Sequence, residues 1–479
     1  MYDNSNFLCN LSILEASKLI ETRDISPVEL TEAFLNRIRD LNPYLKAYIT
    51  VTEETALSQA RKAEQEIQSG GYKGHLHGIP IALKDLFDTE GIKTTSGSML
   101  YKDRIPTKNS TVAERLNRSG AILLGKLAMS ENAIAGTGIG FEEPKNPWDI
   151  SRTAGGSSNG SAVAVASGMA IGAMGSCTRG SIRAPASFCN VVGLKPTYGR
   201  VSRHGVLPLS WTLDHVGPMT YRVEDAAIML DAISGYDNND LTSAKDSLKK
   251  FEIPAKNNLD GIKIAVAKHY FFDATRSEVD PQVIKIAEEA LVKLEHLGAI
   301  IEEVNIPALE YADAAALVIL LGEGYAVHQR KILSTPELYG ELNLVELRVG
   351  GLFSNTEYIS AQRVRNILIQ QYSEAFKSYH FFASPTFAVV APTNSVPTPS
   401  AITEMPSFTG PYNLTGLPAI SVPAGFTDDG LPVGLQFAAN AFNEHELLQL
   451  SYIYEQETCF YKFRPKLKSK ADAFDNCLK

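Results

Sequence analysis

Apolar positions along the first part of the chain recur with a helical beat. Leu30, Phe34, Ile38 and Leu41 fall three or four residues apart, so they mark one face of a helix. Its start is signed by Ser26-Pro27-Val28-Glu29. There the serine oxygen accepts from an early backbone N–H, the glutamate reaches back, and proline takes the first helical position, where its missing N–H is harmless. Ser12-Ile13-Leu14-Glu15 carries the same capping pattern upstream, and a third helix is expected from about Glu53 to Gly70, with Ala56, Ala60 and Ala63 on one side.

Beyond residue 70 the texture changes to short apolar runs alternating with helical stretches. Ile79 to Leu83 reads as a strand, Thr111 to Ser119 as a helix closed by Gly120, and Ala121 to Gly125 as the next strand. Ser158 to Ser167 reads as a helix stopped by Gly168, within a small-residue apolar stretch best taken as buried helix, turn and strand. Gly261 to Val266, Pro281 to Leu297 and Ala299 to Val304 form a β-α-β pattern. Such alternation predicts an α/β fold: a central sheet, parallel where the crossovers are helical, covered by helices on both faces. The Pro/Thr/Ser-rich piece from Pro392 to Ser400 reads as a loop.

Composition changes this picture little. The 479 residues are 44% hydrophobic and 21% charged, ordinary for a globular protein. A net charge of -9 argues against a broad nucleic-acid footprint. The N-terminus lacks the basic and apolar regions of a secretory signal, no apolar run is long enough to span a bilayer, and five scattered cysteines fit a reduced, cytoplasmic protein. No linker or charge block marks a boundary, so residues 1–479 read as a single domain. Its parts are N-terminal helices over about 11–70, a core over about 71–240 and a C-terminal part over about 260–465.

Candidate chemistry concentrates in two stretches dense in small residues and hydroxyls. Ala154-Gly155-Gly156-Ser157-Ser158-Asn159-Gly160-Ser161 is followed by Cys177-Thr178-Arg179-Gly180-Ser181-Ile182-Arg183. Gly180 permits backbone geometry that aims several N–H groups into one pocket, which acyl transfer needs for its oxyanion. Lys84 follows the apolar run Ile79–Leu83, so its stem enters a buried region, where desolvation lowers an amine's pKa. For Lys84 to serve as a base, Asp85 next to it must point away. Ser157 or Ser158 also has a plain structural use as the cap of the following helix. None of the nine histidines sits in a nucleophile-elbow arrangement, and Gly-x-Ser-x-Gly is absent around both serines.

Together these residues resemble the amidase signature family of serine hydrolases, with similar segments from about Leu11 to Pro465. Among them are Gly193-Leu194-Lys195-Pro196-Thr197-Tyr198-Gly199-Arg200, Asp214-His215-Val216-Gly217-Pro218-Met219, Asn413-Leu414-Thr415-Gly416-Leu417-Pro418-Ala419 and Gly430-Leu431-Pro432-Val433-Gly434-Leu435-Gln436, all read as structural. The resemblance implies the amidase-signature fold, a large mixed sheet under helices. It implies Ser181 as nucleophile, Ser157, 24 positions earlier as in the family, as proton relay, and Lys84 as base. Thr178, Arg179, Gly180 and Ser181 would supply the oxyanion hole. Met129, Ile134, Ala135 and Gly136 would line the substrate. No metal or organic cofactor is implied.

Three departures stand out. Asn159 replaces the glycine usual after the double serine, and the usual Asp-Thr-Gly-Gly-Ser reads Cys177-Thr178-Arg179-Gly180-Ser181. Arg179 keeps its backbone N–H provided its side chain turns elsewhere. Cys177 leaves Arg183 in need of another partner, which implies a locally altered scaffold.

The expected function is hydrolysis of a small-molecule amide, with esters or carbamates as further substrates and no membrane or direct nucleic-acid partner. The alternative is the glutaminase component of a tRNA-dependent amidotransferase. The position matching the family's glutamine-binding aspartate is Pro406, which favours the free-standing amidase. A third reading is a weakened family member with a binding role. A homodimer, or partner subunits for an amidotransferase, stay open.

Overall fold

The structure is a computed structural model that describes residues 4–246, 248–394 and 407–467. Pro406 and the loop read over 392–400, from residue 395 onward, lie outside the described residues.

The N-terminal helices form where their caps are written. Helix Ile13–Glu21 begins with a complete capping box, Glu15 N donating to Ser12 Oγ at 3.1 Å and Ser12 N to Glu15 Oε2 at 2.8 Å. Helix Pro27–Leu45 starts on Ser26, buries Leu30, Phe34 and Ile38, and is followed by helix Glu53–Gln68 with Ala56, Ala60 and Ala63 inside.

Among the described residues one eleven-stranded sheet forms the centre of the fold. Its strands in chain order are β1 (Tyr48–Val51), β2 (Pro80–Lys84), β3 (Ile122–Leu127), β4 (Gly172–Cys177), β5 (Val192–Lys195), β6 (His215–Thr220), β7 (Lys263–Val266), β8 (Ile300–Glu303), β9 (Phe381–Pro385), β10 (Ala419–Phe426) and β11 (Pro432–Ala439). The spatial order is β1-β3-β2-β4-β6-β5-β10-β11-β9-β7-β8. Pairing is parallel for β3–β2–β4 and for β9–β7–β8, as the helical crossovers predict. Between these blocks the pairs are antiparallel. Part of the reason is local: β10 and β11 are joined by the short Thr427–Gly430 turn, and a hairpin can only pair antiparallel. Every residue of β2, β4, β5, β6, β9 and β11 is buried, so both sheet faces are covered there. Among the described residues no helix is long and apolar enough to cross a membrane.

The parallel block explains where chemistry collects. Because β3, β2 and β4 run the same way, their carboxyl ends open on one side of the sheet. The segment from Ala128 leaves β3 there, Lys84 is the last residue of β2, and the loop from Thr178 leaves β4. Helix Asn159–Ala166, which leads back into β4, starts at the same end.

Candidate active site

Lys84 is fully buried, and its Nζ contacts three hydroxyl oxygens: Ser157 Oγ at 2.8 Å, Ser158 Oγ at 3.0 Å and Ser176 Oγ at 2.9 Å. Burial lowers its pKa to about 7, while Cys177 and Asp214 pull the other way. Asp85 points away as the sequence requires. Its carboxylate takes the N–H of Thr95 at 2.8 Å, the Thr95 hydroxyl, and Lys126 at 3.4 Å.

Proton placement follows from the partners. Ser158 Oγ donates to Ser176 O at 3.1 Å, so toward Lys84 it can only accept. A neutral amine keeps two N–H groups and one lone pair. That lone pair is left to receive a proton from Ser157 or from Ser176. Ser158 holds the N-cap position of helix Asn159–Ala166 yet makes no capping bond, because its hydroxyl is committed to this cluster. Gly175 makes room for it, since a Cβ there would stand 2.9 Å from Ser158 Oγ.

Ser181 reaches the same spot through the backbone, Ser158 N donating to Ser181 O at 3.2 Å. Its hydroxyl makes no hydrogen bond to the described residues, and the N–H groups of Thr178, Arg179, Gly180 and Ser181 donate to no carbonyl or side chain among them. Four unused donors and one unused hydroxyl thus share a short turn whose backbone bonds to Ser158, itself a contact of the buried amine. The shape of that turn is enforced from afar. Gly180 has φ +155°, and a Cβ there would collide with Thr409 Oγ1. Thr409 Oγ1 and Ser407 Oγ both donate to Arg179 O, at 2.6 and 3.2 Å. Thr178 Oγ1 is held by Asp214 at 2.7 Å.

The two unusual residues are both accommodated. Arg179 turns away and pairs with Asp313, Nε to Oδ1 2.9 Å. Arg183, wholly buried, replaces the missing carboxylate by neutral oxygens: Gln436 Oε1 at 2.9 Å, Asn413 Oδ1 at 2.5 Å and Thr409 O at 3.0 Å, with Cys177 Sγ at 3.8 Å.

The segment expected to line the substrate packs against the serine pair. Ser130 N donates to Ser157 O at 3.2 Å, and Met129 is buried immediately before it. Ile134 and Gly136 are half-buried, and Ala135 is buried. Helix Glu341–Gly350 braces this segment, Asn343 Nδ2 donating to Glu131 O at 2.7 Å and Ala135 O at 3.4 Å. A cavity of about 230 Å³ reaches Ser176 and is walled by Leu86, Ala133, Leu209, Trp211 and Asp214. Sequence reasoning did not find Ser176, Thr409, Asn413 or Asp313 as parts of this site. Only Ser176 carried a local signal, as a hydroxyl near the end of an apolar strand.

The amidase family model matches residues 29–448. The chain is 38% identical to the A component of the glutamyl-tRNA(Gln) amidotransferase of Moorella thermoacetica, covering 95% of this chain and 98% of that one. The solved structure of the same component from Thermotoga maritima matches with a TM-score of 0.79 and 33% identity, over 94% of this chain and 95% of that one. A chain from a vestigial complex tied to the evolutionary origins of an s-triazine catabolic enzyme matches with a TM-score of 0.88 and 30% identity, over 95% of this chain and 100% of that one. The chain therefore belongs to the amidase family, enzymes acting on the carbon–nitrogen bonds of non-peptide amides.

Proposed function

We propose that the chain hydrolyses a carboxamide through an acyl-enzyme on Ser181, with Ser157 relaying protons between Ser181 and Lys84. The observation that carries this is the buried Lys84 amine, poised near neutrality and 2.8 Å from Ser157 Oγ. Ser181 Oγ attacks the carbonyl as its proton passes to Ser157, whose own proton moves to the lone pair of Lys84. The oxyanion is met by the N–H groups of residues 178–181. Lys84 then returns the proton through Ser157 to the departing amine or ammonia. Water repeats the sequence in reverse and releases the acid. The one sheet carrying strands from Tyr48 to Ala439 supports reading the chain as a single domain.

A fluorophosphonate is expected to label Ser181, and Ser181→Ala to abolish the labelling. Persistent labelling of the variant would remove Ser181 from its role.

Of the two finer readings, the comparisons favour the glutaminase component of an amidotransferase over the free-standing amidase. Near-full-length relatives at 36–38% identity carry that name. On this reading the substrate is glutamine and the partners are the other amidotransferase subunits. Glutamine hydrolysis that appears only with co-purified subunits supports it. Brisk hydrolysis of aryl amides by the isolated chain, with glutamine inert under both conditions, returns the choice to the free-standing amidase.

A further inference from the structure

A buried carboxylate beside the segment expected to line the substrate plays no part in the proton relay. Glu346 lies on helix Glu341–Gly350, is only 8% exposed, and its buried Oε1 has no hydrogen-bond partner among the described residues. The helix packs against the 131–136 segment. Asn343, three residues earlier and so on the same helix face, grips the carbonyls of Glu131 and Ala135. Leu342 packs 3.2 Å from where a Cβ on Gly136 would stand. The nearest opposite charge felt by Glu346 is Arg179, in the turn that carries Ser181. That guanidinium is already taken by Asp313. Burial consequently pushes the Glu346 carboxyl up to about 7. An ionised carboxylate buried without a partner is unfavourable unless a bound group supplies the donors. Once Glu346 is ionised, two carboxylates share one guanidinium, an excess of negative charge that suits a cation.

We propose that Glu346 is a specificity-determining residue: it binds the ammonium group of an amide substrate whose far end is positively charged, while the amide carbonyl sits among the N–H groups of residues 178–181. The inference rests on the reading of Ser181 given above, and concerns which amides reach it. An ammonium offers three N–H donors to an oxygen that now has none, and the pair forms where water is largely excluded. Loss of one member of such a pair is expected to weaken binding by about thirtyfold or more.

The test compares 4-aminobutyramide with pentanamide, which replaces the ammonium by a methyl group of similar size. In the native protein KM is expected to be much lower for the ammonium-bearing amide. In Glu346→Gln that preference should fall about thirtyfold, almost wholly through KM, and Glu346→Asp should keep part of it. A KM ratio that is the same in all three proteins overturns the proposal, whichever amide is turned over faster. A separate arm needs no catalysis. Calorimetry on Ser181→Ala protein should detect 4-aminobutyramide, and the added Glu346→Gln change should remove that binding. Absence of binding to the parent, or equal binding to both, refutes the role of Glu346. Absence of hydrolysis with binding intact refutes only the role of Ser181.

Discussion

The titration of Lys84 offers the sharpest check on the catalytic reading. Its pKa stands at about 7 instead of 10.5, a fall of about 3.5 units, or ~5 kcal/mol against the charged form. The cause is burial, with Cys177 and Asp214 opposing it only in part. On the proposed mechanism only the neutral amine can draw a proton through Ser157. About half the molecules are then competent at pH 7 and roughly 1% at pH 5, as for any single proton with that pKa. The rate constant for labelling Ser181 with an uncharged fluorophosphonate should therefore drop about fiftyfold from pH 7 to pH 5, and gain no more than about twofold above pH 8. An uncharged probe keeps the state of Glu346, also poised near 7, from entering through substrate binding. The shift has a thermodynamic counterpart. The unfolded chain holds the proton up to the ordinary lysine range, whereas the folded chain releases it near 7. The unfolded state thus binds more protons in that window, and stability should rise with pH from about 7 to about 10. A labelling profile that is flat from pH 5 to 9, or a limb near 10, would refute the reasoning.

Two substitutions probe the frame that shapes the site. Gly180→Ala must push a Cβ into Thr409 Oγ1, so the 178–181 turn has to move; labelling of Ser181 should slow at least a hundredfold while chemical denaturation shows a loss of only about 1–3 kcal/mol. Asn413→Leu strips the buried Arg183 of its 2.5 Å acceptor and Cys177 O of a 2.9 Å donor, and should cost about 2–4 kcal/mol in urea unfolding; a loss under about 0.5 kcal/mol would show that Arg183 does not need it.

What could be read from the chain depended on how local its cause was. Lys84 was legible because an apolar run ends on it, which forces its stem inward. The capping box at Ser12 was legible because both partners lie within one turn. The antiparallel middle of the sheet was not, since strands such as β5 and β10 pair across more than two hundred residues without any periodic signal. The same limit hid Asp313, Glu346 and Asn413. Asp313 and Asn413 reach the 177–183 turn through tertiary packing, over separations of 134 residues for Arg179–Asp313 and 230 for Arg183–Asn413, and Glu346 is linked to it through the charge of Arg179. Ser158 shows a different kind of miss. Its position fits a helix cap, but the Lys84 amine and the Ser176 carbonyl compete successfully for its oxygen and its proton.

The exchange of a carboxylate for Cys177 is absorbed at Arg183 without disturbing the burial that sets the state of Lys84. Arg183 lies at the foot of the turn, its two terminal nitrogens held by three neutral oxygens while its buried Nε has no hydrogen-bond partner among the described residues, and no anion stands in the strand that also carries Ser176. Asp214 is the carboxylate that Lys84 feels, and its oxygens are occupied by the Thr178 hydroxyl and the N–H groups of Leu209 and Ser210 at 2.7, 2.9 and 3.0 Å. An aspartate at position 177 would be paired with Arg183, so the charge state of Lys84 is decided by its burial and not by this exchange. Cysteine and asparagine in place of an ion pair therefore keep Arg183 hydrogen-bonded, while burial leaves Lys84 free to lose its proton near neutral pH.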